Sequence, residues 1–111
     1  DHIVPIGGAY ASTQVLPGKK RFVMGASGHI AGVINPPAKG KRSHWIARSA
    51  ALPADPEAWL KSATEHPGSW WTHWAAWLRE KSGEQIPARD PKTGPLKPIE
   101  PAPGAYVKVK S

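Results

Sequence analysis

Residues 20–37, KRFVMGASGHIAGVINPP, decide how the chain is read. Lys20–Met24 (KRFVM) is a short run bounded by Pro17-Gly18 on one side and Gly25 on the other, which predicts a strand over 20–24. The glycines that follow permit tight turns, and Pro36-Pro37 stops any helix begun at Ile30. A strand, a glycine-rich loop and then His29 is an arrangement that presents an imidazole at the carboxyl end of a sheet. Upstream, Ala9–Leu16 (AYASTQVL) reads as a short helix between Gly7-Gly8 and Pro17-Gly18. Asp1 precedes that helix. The order Asp1, helix, strand, His29 suits a right-handed crossover between parallel strands, which returns the chain to the same sheet edge. In α/β-hydrolases the triad acid and the general-base His follow the nucleophile in that order. The spacing alone is a weak signal, and a loop His with a structural hydrogen bond is the competing reading.

Downstream, residues 38–54 are basic and then irregular. Asp55-Pro56-Glu57 combines an N-cap, a proline at the first helical position and an acid in the first turn, predicting a helix to about Thr64. Pro67-Gly68 makes a turn. Ser69 then caps a second helix over 70–82, which Gly83 ends. At about 100° per residue, Trp70, Trp71, Trp74, Ala75, Trp77 and Leu78 share one arc of roughly 160°. Such a stripe is more often core than a stacking surface for bases. From residue 84 onward six prolines fall in 28 residues, so this stretch reads as extended. Only Tyr106–Lys110 alternates like an edge strand.

Composition narrows the chemistry. The chain has 111 residues, room for one domain at most, and no Cys, which excludes disulfides, thiolate metal sites and thiol nucleophiles within it. No apolar run approaches the roughly 20 residues needed to span a bilayer. The net charge is +7, and basic chains can bind nucleic acid or anionic ligands. The clusters Lys19-Lys20-Arg21 and Lys39-Lys41-Arg42 are expected to be solvated, with contact to a phosphate-bearing ligand as the second reading. His44, His66 and His73 lack metal-ligand spacing and are expected to be solvated or capping, so no metal site is expected.

The stretch SGHIAGVINPPAKGKRSHW (27–45) closely resembles the catalytic-His segment of class I polyhydroxyalkanoate synthases. DHIVP (1–5) resembles their catalytic-Asp segment at the matching distance. DPEAWL (55–60), GSWWTHWAAWL (68–78) and EPAPGAYVK (100–108) resemble their C-terminal blocks in the right order. One departure is Ile6, where the family often has Trp. The family's Gly-x-Cys-x-Gly nucleophile elbow does not occur here.

The resemblance implies an α/β class: a C-terminal fragment of an α/β-hydrolase fold, comprising the last strand, the catalytic-His loop, C-terminal helices and a Pro-rich extended tail. It divides into residues 1–50, the end of the catalytic domain with Asp1 and His29; 51–83, a Trp-rich helical pair packing on it; and 84–111, the tail. It also implies polymerisation of (R)-3-hydroxyacyl-CoA into polyester, with CoA released through a Cys-His-Asp triad. His29 matches the base and Asp1 its acid partner, and His2 is placed to line the site. No cofactor is expected, since the CoA thioester is the substrate. The implied setting is a cytoplasmic enzyme, dimeric when complete and associated with polyester granules. Two other readings compete: a small basic, Trp-rich module for single-stranded nucleic acid, and a fragment of a related ester hydrolase.

Overall fold

The computed structural model describes residues 1–110. The chain is a mixed α/β structure built on a three-stranded antiparallel sheet. In order it forms α1 (Ile6–Val15), β1 (Val23–Gly25), a single π-helical turn (Gly28–Gly32), β2 (Ser43–Ala47), α2 (Pro56–Ser62), β3 (Ala63–Pro67) and α3 (Trp71–Arg79). Short 3₁₀ turns occur at Pro37–Lys39, Pro91–Thr93 and Tyr106–Lys108.

The helices follow from local chemistry. Pro17-Gly18 ends α1 within two residues of the expected point. The Asp55 carboxylate accepts from the Glu57 amide at 2.9 Å, fixing the start of α2. Ser69 Oγ accepts from the Trp71 amide at 3.0 Å, from one residue outside the N-cap position, Trp70, whose side chain makes no capping bond. The α3 helix nevertheless stops at Arg79, short of Gly83.

The sheet departs from the sequence reading. Only β1 was expected before the tail, yet β1 pairs with β2 (Met24 opposite Trp45), and β2 pairs with β3 along its whole length, from Ser43–Pro67 to Ala47–Ala63. No parallel pair, and so no crossover between parallel strands, occurs among the described residues. The missed strands have a physical origin. SHWIA sits directly behind a basic run that masks its alternation. ATEHP has little β preference of its own and is held extended by pairing with β2 rather than by propensity. Tyr106–Lys108 is a 3₁₀ turn rather than an edge strand, and it is not part of the sheet.

Strand alternation gives the sheet two faces. On one, Met24, Trp45, Ala47 and Ala63 join Phe22 and Leu52 around Tyr10 from α1 and Trp59 from α2. Tyr10, Phe22 and Trp59 form an aromatic cluster, with two edge-to-face pairs at 5.0 and 4.9 Å between centroids. The Tyr10 hydroxyl donates to the Pro53 carbonyl at 2.7 Å, tying α1 to the approach to α2. On the other face lie Val23, Gly25, His44, Ile46 and His66.

The core is small: the buried apolar side chains are Tyr10, Ala47 and Trp59. Every residue from Trp74 to Pro103 is exposed. The radius of gyration of 19.3 Å exceeds the roughly 13 Å of a compact chain of this length. Residue 111, the end of the tail as read from sequence, lies outside the described residues.

Candidate functional site

The loop after β1 builds the site. Ser27 and Gly28 both adopt left-handed backbone conformations, with φ of 74° and 77°. For serine this is an uncommon and costly choice, of a kind that clusters at functional sites. The chain then enters the π-helical turn, another geometry often found at such sites. The loop closes on itself through Gly32: a Cβ there would collide with the Ala26 carbonyl oxygen. The indole N–H of Trp70 donates to the Gly32 and Val33 carbonyls, and that of Trp71 to the Val33 carbonyl at 2.8 Å. The start of α3 thereby fastens the far end of the loop.

This geometry brings Asp1 and His29 together across 28 residues of sequence. The His29 ring Nδ1 lies 2.6 Å from Asp1 Oδ2, and the His29 backbone amide donates to the same oxygen at 2.6 Å. The other carboxylate oxygen, Oδ1, accepts from the amides of Ile3 and Val4 at 2.8 and 3.1 Å. The Asp1 carboxylate thus faces three backbone N–H donors and one imidazole. Its side chain is 13% exposed, against 30% for that of His29.

With Nδ1 directed at a carboxylate, the neutral imidazole carries its proton there and leaves Nε2 as the basic nitrogen. Among the described residues Nε2 has no hydrogen-bond partner. Asp1, His2, Ser27, Gly28, His29, Ile30 and Ala31 line one open depression of about 490 Å³. His2 therefore reaches the same depression as the pair. An oriented imidazole with an available Nε2, backed by a buried-side carboxylate, can accept and return protons at a bound substrate.

Of the remaining histidines, His66 is exposed as expected, whereas His44 and His73 are not solvated. His44 is buried, with Nδ1 donating to the Gly68 carbonyl at 3.1 Å, and it stacks on His66 across the β2–β3 pair at 5.5 Å. His73 is half-buried, its Nε2 3.3 Å from an Arg21 guanidinium nitrogen. Desolvation, then the charge of Arg21, then His44 and His66 lower its pKa, while Glu80 opposes them. The His44–His66 stack arises from sheet register, which the sequence reading lacked. Among the described residues no cluster has the makings of a metal site.

The Trp stripe is only partly covered. Trp70 and Trp71 are half-buried, but Trp74, Trp77 and Leu78 are 46%, 36% and 37% exposed. Phe22, Trp70, Trp74 and Trp77 line a groove of about 610 Å³, with Lys19, Lys20 and Arg21 along it.

Comparison with known proteins extends the resemblance to the whole chain. No family model matches. The poly(3-hydroxyalkanoate) polymerase subunit PhaC of Cupriavidus necator is 57% identical over 112 residues, covering 100% of this chain and 19% of that protein. The polymerase subunit of the same name from Rhizobium etli is 45% identical over 107 residues, covering 96% of this chain and 16% of its own length. The poly(3-hydroxyalkanoate) polymerase of Methylorubrum extorquens is 42% identical over 111 residues, covering 100% and 18%. The chain thus spans less than a fifth of the length of these relatives.

Proposed function

We propose that this chain, a stretch of the poly(3-hydroxyalkanoate) polymerase family, is the C-terminal part of such an enzyme and supplies the base and acid partner of its active site. The observation that carries the assignment is the Asp1–His29 contact of 2.6 Å, which leaves the imidazole Nε2 available. Asp1 fixes the tautomer of His29 and stabilises its protonated form. The nucleophile, a Cys in this reading, comes from sequence outside this chain, which has none.

Chemistry then proceeds by proton transfer at one nitrogen. His29 Nε2 takes the thiol proton, and the thiolate attacks the carbonyl carbon of a (R)-3-hydroxyacyl-CoA thioester. The carbon–sulfur bond to CoA breaks, and the CoA thiolate leaves with the proton that His29 held. In elongation His29 takes the proton of a chain or monomer hydroxyl, and the resulting alkoxide attacks the acyl thioester on Cys. A new ester forms and the imidazolium returns its proton to the departing sulfur. No step calls for a cofactor.

The surrounding fold in this proposal is an α/β-hydrolase sheet to which β1 contributes. The complete enzyme works as a cytoplasmic dimer at the surface of polyester granules. No helix among the described residues is long and apolar enough to cross a membrane.

The test is His29→Gln in the full-length polymerase. A polar, nearly volume-matched change should leave folding intact, while turnover of 3-hydroxybutyryl-CoA falls by about 10²-fold or more. Near-normal CoA release from folded variant enzyme ends the assignment.

A further inference from the structure

We propose that Gly28 is a positioning residue for the Asp1–His29 pair, its lack of a side chain being what allows one carboxylate oxygen to accept from both the ring and the backbone of His29. The proposal rests on the catalytic reading of that pair.

Gly28 differs from most glycines that share its backbone conformation. Gly104, in the tail, also faces a carboxylate, a Cβ there lying 2.9 Å from Glu100 Oε1, but only Gly28 faces the acid of the Asp1–His29 pair. Gly18, Gly40 and Gly68 also have positive φ, but a Cβ on any of them would meet nothing within 4 Å. A Cβ at Gly28 would lie 2.7 Å from Asp1 Oδ2 and 3.6 Å from Asp1 Cγ. The first distance is well inside van der Waals contact. Ordinary conformational freedom accounts for Gly18, Gly40 and Gly68. At Gly28 there is a second demand, and it comes from the acid.

The carboxylate has little freedom to yield. Oδ1 is held by the amides of Ile3 and Val4, so a swing of the group costs those bonds. The displacement therefore falls on Oδ2 and the two 2.6 Å contacts it makes to His29. Gly28 is the residue immediately before His29, so the same left-handed turn that aims the His29 amide at Asp1 also leaves the gap through which the acid approaches. A side chain at this position separates base from acid.

The experiment uses the full-length polymerase. Gly28→Asn is the informative variant, because asparagine tolerates left-handed φ yet carries the offending Cβ. Gly40→Asn is the control, a positive-φ glycine with open space around it. In folded enzyme, Gly28→Asn should lower kcat for 3-hydroxybutyryl-CoA about 10²-fold, the loss that a misplacement near 1 Å can cause, with KM little changed. Gly40→Asn should leave both unchanged. In an Asp1→Ala background, where no carboxylate remains to displace, Gly28→Asn should produce no further loss, because groups acting as a unit do not lose activity additively.

Near-normal kcat in Gly28→Asn, or a full additional loss in the Asp1→Ala background, overturns the proposal. If Gly28→Asn does not fold, the double variant decides. Folding restored by Asp1→Ala supports the contact, and failure in both backgrounds overturns it by making the glycine a purely conformational requirement. The parallel His29→Gln measurement separates the two readings. Activity in His29→Gln removes the catalytic assignment itself, whereas an inactive His29→Gln beside an active Gly28→Asn removes only the positioning role.

Discussion

Replacing Asp1 with Asn changes one atom in kind and leaves the shape nearly intact, so its effect can be worked from the contacts. Asn keeps one oxygen. If that oxygen stays where Oδ1 is, it continues to accept from the Ile3 and Val4 amides. The amide nitrogen then faces the His29 amide and ring Nδ1, both within 2.6 Å of the present Oδ2. A donor now meets a backbone donor. The peptide N–H of His29 loses its acceptor, at a cost of about 1–3 kcal/mol. The ring can answer only by moving its proton to Nε2, which turns Nδ1 into an acceptor and removes the basic nitrogen from the depression. If the amide flips instead, the Ile3 and Val4 donors are orphaned. Either arrangement also removes the negative charge that stabilises imidazolium. We expect turnover to fall by about 10²–10⁴-fold, with KM for 3-hydroxybutyryl-CoA little altered. The assay is CoA release by full-length enzyme under saturating substrate, with circular dichroism to establish folding. Combined with His29→Gln, the two losses should not add. A folded Asp1→Asn enzyme with near-normal kcat would refute the reasoning, since the acid would then contribute neither tautomer nor charge.

Three further outcomes are expected. Trp59 is 2% exposed and packs on Phe22 at 4.9 Å; Trp59→Ala should cost about 3–5 kcal/mol, read as a large drop in denaturation midpoint, and an unchanged midpoint contradicts the core described. For His73, whose pKa is lowered from its usual 6.5, the unfolded chain takes up a proton at a higher pH than the folded one. Stability should therefore rise with pH across the interval from the lowered value to 6.5, and be lost as pH falls through it. Thermal midpoints of wild type and His73→Gln on either side of that interval test this, the variant showing the smaller slope; equal slopes refute it. Finally, this chain has no Cys, so purified alone it should release no CoA from 3-hydroxybutyryl-CoA above background. Release with saturable kinetics would show that the chemistry does not need the nucleophile assigned to the rest of the enzyme.

Two kinds of information were legible in the sequence by itself. Local signals fixed one end of each helix, because caps and stops act within one turn: Pro17-Gly18 behind α1, Asp55 before α2, Ser69 before α3. They missed that α1 begins at Ile6, with Gly7 and Gly8 inside it, and that α3 stops at Arg79. Ordered blocks of residues carried the family, and with it the roles proposed for Asp1 and His29. The tertiary structure decided what depends on partners distant in sequence. ATEHP is a strand only because β2 lies beside it. His44 and His66 stack only because that pairing sets them opposite one another. The carboxylate of Asp1 reaches both the ring and the backbone of His29 only because Ser27 and Gly28 turn left-handed together. Sequence pattern records what a residue prefers among its near neighbours. It does not record which backbone will pass within hydrogen-bonding distance across 28 residues; that is set by the sheet register and the close packing at Gly28 and Gly32.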